Sequence, residues 1–308
     1  MSPEVALRGP CVWWRKLDVM TGKRLPPWLT GVVMFGGFLT LAWLERRRPL
    51  RRPTEPKVRR EIRNLAIAAL GSIVIQGLET PLVNRLTGLV ERRRWGLLKQ
   101  RRLAGWVEVV LGVVLLDYSM YWWHRLNHIV PVLWRTHLPH HVDLDLDAST
   151  ALRFHFTELL ASLPLRALQI AGIGAGPLAF SIWQTLFALS ILFHHSDLEL
   201  VEDTERRLLW LVVTPRMHGI HHSTVRAEAD ANLSSGLSFW DRLHGTLRVN
   251  IPQRELTIGV PAYRDPVEVT FSKVLAMPFA ESRDDWRLPG GEVPQRTALT
   301  GDPQRICG

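Results

Sequence analysis

The seventeen residues from Trp28 to Leu44, WLTGVVMFGGFLTLAWL, contain no charged side chain and carry tryptophans near both ends. At ~1.5 Å per residue a helix of this length reaches ~25 Å, enough for a hydrocarbon core of about 30 Å once its flanks snorkel. In hydrocarbon every backbone N–H and C=O must be satisfied internally, so such a segment is held to helix. Further apolar runs follow. One extends from about Ile62 to Val83 with Glu79 near its far end, and one from Gly105 to Trp123 carries Glu108 and Asp117 and leads into His124. Two more lie between Phe156 and Phe193 and meet at GIGAGP, a turn composition that makes them a helical hairpin. Charges inside such spans usually face protein or a water-filled cavity and are functional candidates. The expected fold is all-α, a multi-span transmembrane helical bundle.

Polar blocks separate the spans. The loop Glu45 to Arg63 holds nine Lys/Arg against three Glu, which places it in the cytoplasm by the positive-inside rule. Counting spans from there brings His124, His155 and His195 to the same side. Arg85 to Arg102 is also strongly basic and falls outside on this count, so it is expected as an interfacial amphipathic helix, or spans one and two as a re-entrant pair. The net charge of +9 lies beside apolar spans, without aromatic and basic residues interleaved on a polar domain. This pattern suits basic loops at an anionic membrane surface and argues against a nucleic-acid partner. The opening residues MSPEVALRGPCVWWRKLDVM lack the pattern of a cleaved secretory signal, so insertion is expected to rely on the first internal span. Cys11 and Cys307 form no CxxC, which suggests neither a thiolate zinc site nor a disulfide framework. The expected units are an N-terminal segment (1–27), N-terminal spans and basic loops (28–104), a histidine-bearing domain (105–250) and a polar tail (251–308). From Ser223 onward no apolar run is long enough to cross, and this portion is expected to cap the site.

Histidine is concentrated in short motifs at the span ends. HRLNH supplies His124 and His128, HLPHH supplies His137, His140 and His141, HGIHH supplies His218, His221 and His222, and FHHSD adds His195. Residues three and four apart share a helix face, so each motif aims several imidazoles at one point. A lone histidine such as His194 or His244 reads as a hydrogen-bonded packing residue, but packing does not call for three such clusters, and burying so many unpartnered rings is costly. Imidazole is a common transition-metal ligand, and nine or more rings exceed the four to six positions of one ion, so two metals are implied. Thr214 and Pro215 suit the N-cap and first position of the helix carrying HGIHH. Pro139 fits only a first helical turn, which predicts a helix beginning near Thr136. Imidazole-rich, thiolate-poor sites suit iron, zinc or copper, whereas calcium and magnesium want oxygen ligands. The absence of HExxH argues against a zinc protease.

The run DYSMYWWHRLNH (117–128), with LWRTHLPHH (133–141), TALRFHFTE (150–158), FHHSD (193–197), TPRMHGIHHS (214–223) and NLSSGLSFWDRLHGT (232–246), resembles the fatty acid hydroxylase superfamily, also called the sterol desaturase family. The resemblance covers about Asp117 to Thr246, with a weaker match at AMPF (276–279). It implies a membrane enzyme with a histidine-ligated di-iron centre that hydroxylates or desaturates lipids with oxygen. Carried over, the ligands are His124, His128, His137, His140, His141, His195, His218, His221 and His222, with His155 a tenth ligand or a hydrogen-bond donor behind one. Asp117, Glu158, Asn232 and Asp241 sit where a carboxylate or amide orients an imidazole. Departures are Pro139, His194 and Asp197 around His195, and His244 where an aromatic is usual. The first is expected to shift ligand geometry and the others to tune the entrance.

The resulting expectation is an integral membrane di-iron oxygenase with a cytoplasmic histidine-rich cap, acting on a sterol, fatty acid or related lipid. The chain has no haem-binding His-Pro-Gly-Gly and no GxGxxG after a strand, so electrons are expected from an external donor protein docking on the basic surface. The alternative is a zinc-dependent membrane hydrolase, since histidine ligation alone does not choose iron. A metal carrier would spread its histidines through the membrane depth, whereas these gather at span ends.

Overall fold

The computed structural model describes residues 23–296, so Cys11, Cys307 and most of the 1–27 segment lie outside it. Helix α1 (Pro27–Arg47) opens on a proline in its first turn and closes on Arg46 and Arg47, whose charges suit the free carbonyls of a helix C-terminus. Its outward face exposes Trp28, Val32, Phe35, Leu39 and Trp43, an apolar stripe fit for lipid. Helix α2 (Lys57–Val74) continues through a π-helical turn, Ile75–Glu79, into α3 (Thr80–Arg93). The span expected at 62–83 is therefore the middle of a longer rod. The first half of the basic segment 85–102, expected to lie on the membrane surface, prolongs that rod instead.

The rod ends where the chain reverses at Arg94 and Gly96, with φ of 52° and 90°. Gly96 lies directly on Gly174, the left-handed cap of α6 (Phe156–Ile173), and a Cβ there would sit 2.2 Å from the Gly174 nitrogen. Glycine is required at this backbone-to-backbone contact, which pins the GIGAGP turn to the end of α3. Helix α4 (Gly105–Ile129), α5 (Pro131–His141) and α7 (Pro177–His195) complete the bundle, and α6 and α7 form the expected hairpin. Among the described residues, three stretches are long and apolar enough to cross a membrane: Pro27–Arg47, Lys57–Gln100 and Pro177–His195. The other two expected spans are the helices α4 and α6, which pack among these three. Val83 and Val90 meet Leu116, Met120, Trp123, Ile170, Phe180 and Trp183 in the bundle core.

The described residues hold no strand, only isolated bridges such as Ser223 with Ile258. Short helices α8 (Glu202–Leu208), α9 (Pro215–His221), α10 (Arg226–Ala229), α11 (Phe239–Leu243) and α12 (Phe271–Ala276) build a cap on one end of the bundle. The region after 250 was expected as a polar tail, but Val260, Tyr263, Val269, Val274 and Met277 are buried with Leu138, Val142, Leu144 and Ile67. Short apolar pieces spaced by prolines pack well without ever forming a run that reads as a core element. The α1–α2 loop belongs to the same end, where Arg51 donates to the Pro215 carbonyl at 2.7 Å and to Gln253 at 2.6 Å.

Helix α5 corrects the expected start near Thr136. It begins at Pro131, and Pro139 lies inside its last turn. The missing N–H at 139 removes one helical bond two residues before the helix ends, where few further bonds depend on it. The Pro139 carbonyl accepts from Arg153 Nε at 2.7 Å. Arg153 is fully buried, donates to Asn64 at 2.7 Å, and lies 3.8 Å from Asp143, which also pairs with Arg60 and Arg63. These three guanidinium groups hold the Asp143 carboxyl far below the usual carboxylate range. The network ties α2 to the turn that follows the HLPHH motif.

Candidate metal centre

The nine histidines of the motifs arrive on four helices. His124 and His128 stand one above the other at the end of α4, His137, His140 and His141 in the last turns of α5, His195 at the end of α7, and His218 and His221 on α9 with His222 as its cap. Helix α9 starts as expected, with Pro215 in its first turn and Thr214 Oγ1 accepting from the Met217 N–H at 3.4 Å.

Their rings converge into two buried groups. His124, His128, His137, His141 and His221 form one, and His140, His195, His218 and His222 the other; within each, one nitrogen per ring lies within 4.8 Å of every other. The division follows helix geometry. The i,i+4 pair His137/His141 faces one group while His140 is rotated toward the other, and the i,i+4 pair His218/His222 faces the second group while His221 faces the first.

The donor set fits two metal ions. Nε2 atoms face one another at 3.0 Å for His140 and His195, 2.9 Å for His195 and His218, 3.1 Å for His218 and His222, and 3.2 Å for His137 and His141. A neutral imidazole has a single N–H, so a chain of such contacts cannot all be hydrogen bonds. Nitrogens sharing an ion at ~2.1 Å would stand ~3 Å apart. His128 leaves both ring nitrogens, and His221 its Nε2, buried without a hydrogen-bond partner. Burial, reinforced by the neighbouring imidazoles, holds His140, His141, His218 and His222 far below the ordinary histidine range, and burial brings His221 down to about 3. These five rings are therefore neutral near pH 7, the form that binds metal.

Backbone carbonyls do most of the orienting. The His124 Nδ1–H donates to the Leu233 carbonyl at 2.9 Å, His221 Nδ1 to Ala231 at 2.9 Å, and His195 Nδ1 to Ile191 at 2.8 Å. His128 Nδ1 stands 3.5 Å from the Asp230 carboxylate. Of the four residues expected to orient imidazoles, only Glu158 meets one, with Oε1 2.9 Å from His137 Nδ1. Asp117 instead accepts from Trp240 Nε1 at 2.7 Å and the Leu237 N–H at 3.1 Å. Asp241 accepts from the Leu233 and Ser234 N–H groups at 2.8 and 3.1 Å and from Thr246 at 2.7 Å. Asn232, at φ 53°, donates to the Met217 and Arg248 carbonyls and accepts from the Arg248 N–H. Asn232 and Asp241 thus shape the loop 230–233 whose carbonyls hold the rings. Nothing in the sequence marks Ala231 or Leu233, because a carbonyl carries no side-chain signature; Asn232, a residue type that tolerates left-handed backbone, is the one local hint.

His155 lies outside both groups. It caps α6, with Nδ1 3.2 Å from the Thr157 N–H and 2.7 Å from its hydroxyl, while Nε2 lies 3.2 Å from the Leu275 carbonyl. Its ring nitrogens are engaged in joining the cap to the bundle, so the structure does not place it as a tenth ligand. His194, read as a packing residue, has its ring 4.1 Å from that of His218 and lines the adjoining cavity. Asp197 and His244, expected at an entrance, do not line that cavity. Asp197 accepts from the Arg51 N–H at 3.1 Å, and His244 stacks 4.7 Å from Tyr121 with Nε2 3.1 Å from the Tyr118 hydroxyl.

A cavity of about 450 Å³ adjoins the two groups, with His124, His137, His140, His195 and His218 in its wall. It runs between the helices past Trp123, Trp183 and Phe187 to Met34 and Ile75, and apolar atoms make up most of its surface. An apolar chain lying in it would reach both histidine groups.

Comparison with known proteins agrees with this geometry. The profile of the fatty acid hydroxylase family matches residues 109–246. Ornithine lipid hydroxylase OlsE of Rhizobium tropici is 34% identical over 175 residues, 56% of this chain and 50% of that protein. Alkylglycerol monooxygenase of Xenopus tropicalis is 32% identical over 157 residues, covering 49% of this chain and 31% of the relative. Cholesterol 25-hydroxylase of Rattus norvegicus is 26% identical over 162 residues, covering 52% and 53%. The chain thus spans about half the length, or less, of these curated relatives. No solved structure matches.

Proposed function

We propose that this chain, whose residues 109–246 match the fatty acid hydroxylase family, is an integral membrane di-iron oxygenase that hydroxylates or desaturates a lipid. The convergence of nine imidazoles into two groups at the mouth of an apolar cavity carries this reading. The first ion would be held by His124, His128, His137, His141 and His221, and the second by His140, His195, His218 and His222. Bound iron would supply the activation of oxygen needed to attack an unactivated carbon.

The chain's own residues position and shield. Glu158 and the carbonyls of Ala231, Leu233 and Ile191 fix the tautomer and plane of their rings, each leaving Nε2 as the ligand atom. Trp123, Trp183 and Phe187 line the cavity and keep water from an apolar substrate. The 105–250 portion is the catalytic domain on this reading, with residues after 250 completing its cap. The site faces the cytoplasm: Arg51 and its basic loop, cytoplasmic by charge, bond directly to Pro215 and Asp197 beside the histidines. Electrons come from a separate donor protein, which the net charge of +9 would help to dock.

The test is anaerobic metal analysis of the purified protein, followed by turnover of membrane lipid with labelled oxygen and an added reductase. Two irons per chain and a product gaining one labelled oxygen, or losing two hydrogens, are expected. Oxygen-independent hydrolysis with zinc alone would overturn the reading.

A further inference from the structure

Deep in the cavity wall is a polar pair that the histidine centre does not use. Arg166 on α6 donates from Nε to Glu79 Oε1 at 3.0 Å and from Nη1 to Gln169 Oε1 at 2.7 Å. It stacks over the Trp183 ring at 4.9 Å, and only 8% of the residue is exposed. Both Arg166 and Glu79 line the cavity, and among the described residues neither Nη2 of the one nor Oε2 of the other has a hydrogen-bond partner. Glu79 closes the π-helical turn Ile75–Glu79, and Ile75 at the start of that turn lines the cavity as well. A π turn inside an otherwise regular helix is rare and occurs frequently at functional sites.

We propose that Arg166 and Glu79 form a subsite for an uncharged polar group of the lipid, a hydroxyl or secondary amide that accepts from the guanidinium and donates to the carboxylate. This rests on the lipid-oxygenase reading of the cavity. A charged headgroup is excluded by the pair itself: an anion would face Glu79 and a cation would face Arg166, each desolvated. An unsubstituted hydrocarbon would offer no partner to the remaining Nη2 and Oε2. Glu158, which holds His137, lies eight residues before Arg166 on the same helix, a rise of roughly 12 Å. The carbon presented to the metal centre is therefore on the order of 12 Å along the chain from the recognised polar group, which makes the pair a ruler for the position of attack.

Binding to the purified full chain in detergent tests this without turnover. Trp123 and Trp183 line the cavity, so a brominated alkyl chain entering it quenches their fluorescence. Two brominated probes of equal length are compared, one bearing a mid-chain hydroxyl and one a plain hydrocarbon. The wild type is expected to bind the hydroxyl probe roughly tenfold more tightly, the yield of one hydrogen bond to a charged group. In Glu79→Gln/Arg166→Gln, and in Arg166→Met, that preference should fall to within about twofold, with the hydrocarbon affinity little changed. Equal affinity of the wild type for both probes overturns the subsite, whether or not the variants fold, as does a preference that survives in folded variants. A wild type that shows the preference but oxidises no lipid with metal and reductant supplied would remove the oxygenase reading and leave the subsite standing.

Discussion

Glu158 Oε1 lies 2.9 Å from Nδ1 of His137, and both residues are almost fully buried. Among the described residues it is the one carboxylate within 3 Å of a motif imidazole nitrogen; His124, His221 and His195 rely on backbone carbonyls. A buried carboxylate raises the basicity of the ring it holds and selects Nε2 as the ligand atom. Glu158→Gln should keep the fold and lower metal affinity about 10- to 100-fold, read as the chelator concentration that strips half the metal. Unchanged retention would show that His137 needs no such partner.

The ligand set can be separated from its neighbours by substituting His155 and His141. His155→Ala should retain full metal content and lose about 1 kcal/mol from the α6 cap, seen as a lower Tm in detergent. His141→Ala should lose metal from its group. Metal loss in the His155 variant would restore it as a ligand.

Asn232 combines a left-handed backbone with three hydrogen bonds to Met217 and Arg248. Asn232→Ala should destabilise the protein by about 2–4 kcal/mol, because the bonds go and alanine resists that backbone. Asn232→Gly keeps the backbone freedom and should lose less. Both should also loosen metal binding, because the adjacent carbonyls of Ala231 and Leu233 hold His221 and His124. Equal unfolding midpoints for alanine and glycine would exclude the backbone contribution.

Arg153 is fully buried between Asp143, Asn64 and the Pro139 carbonyl, and burial lowers its guanidinium to about 10. Arg153→Met should cost about 3–5 kcal/mol, since Asp143 loses a buried countercharge and the proline turn of α5 loses its anchor. Denaturant unfolding in detergent measures this. A change under about 1 kcal/mol would mean that Arg60 and Arg63 suffice for Asp143.

Much of the fold can be read along the chain because its signals are local. The charge-free run at 28–44, the GIGAGP turn and the Thr214–Pro215 start of α9 each depend on nearby residues, and each appears in the structure. Helix periodicity likewise puts the histidines on shared faces. Pro139 misled because the rule against proline inside a helix concerns bonds that later turns need, and α5 has almost no later turn.

The sequence by itself settled that this chain builds apolar helices ending in histidine clusters, since hydrophobic length and i,i+4 spacing act within one segment. Tertiary structure alone decided which nitrogen joins which group, that Asp117 serves Trp240 rather than an imidazole, that His155 is a cap, and that carbonyls of the 230–233 loop hold two rings. Those outcomes depend on directions and distances between segments up to about 120 residues apart, and on backbone atoms that every residue type shares.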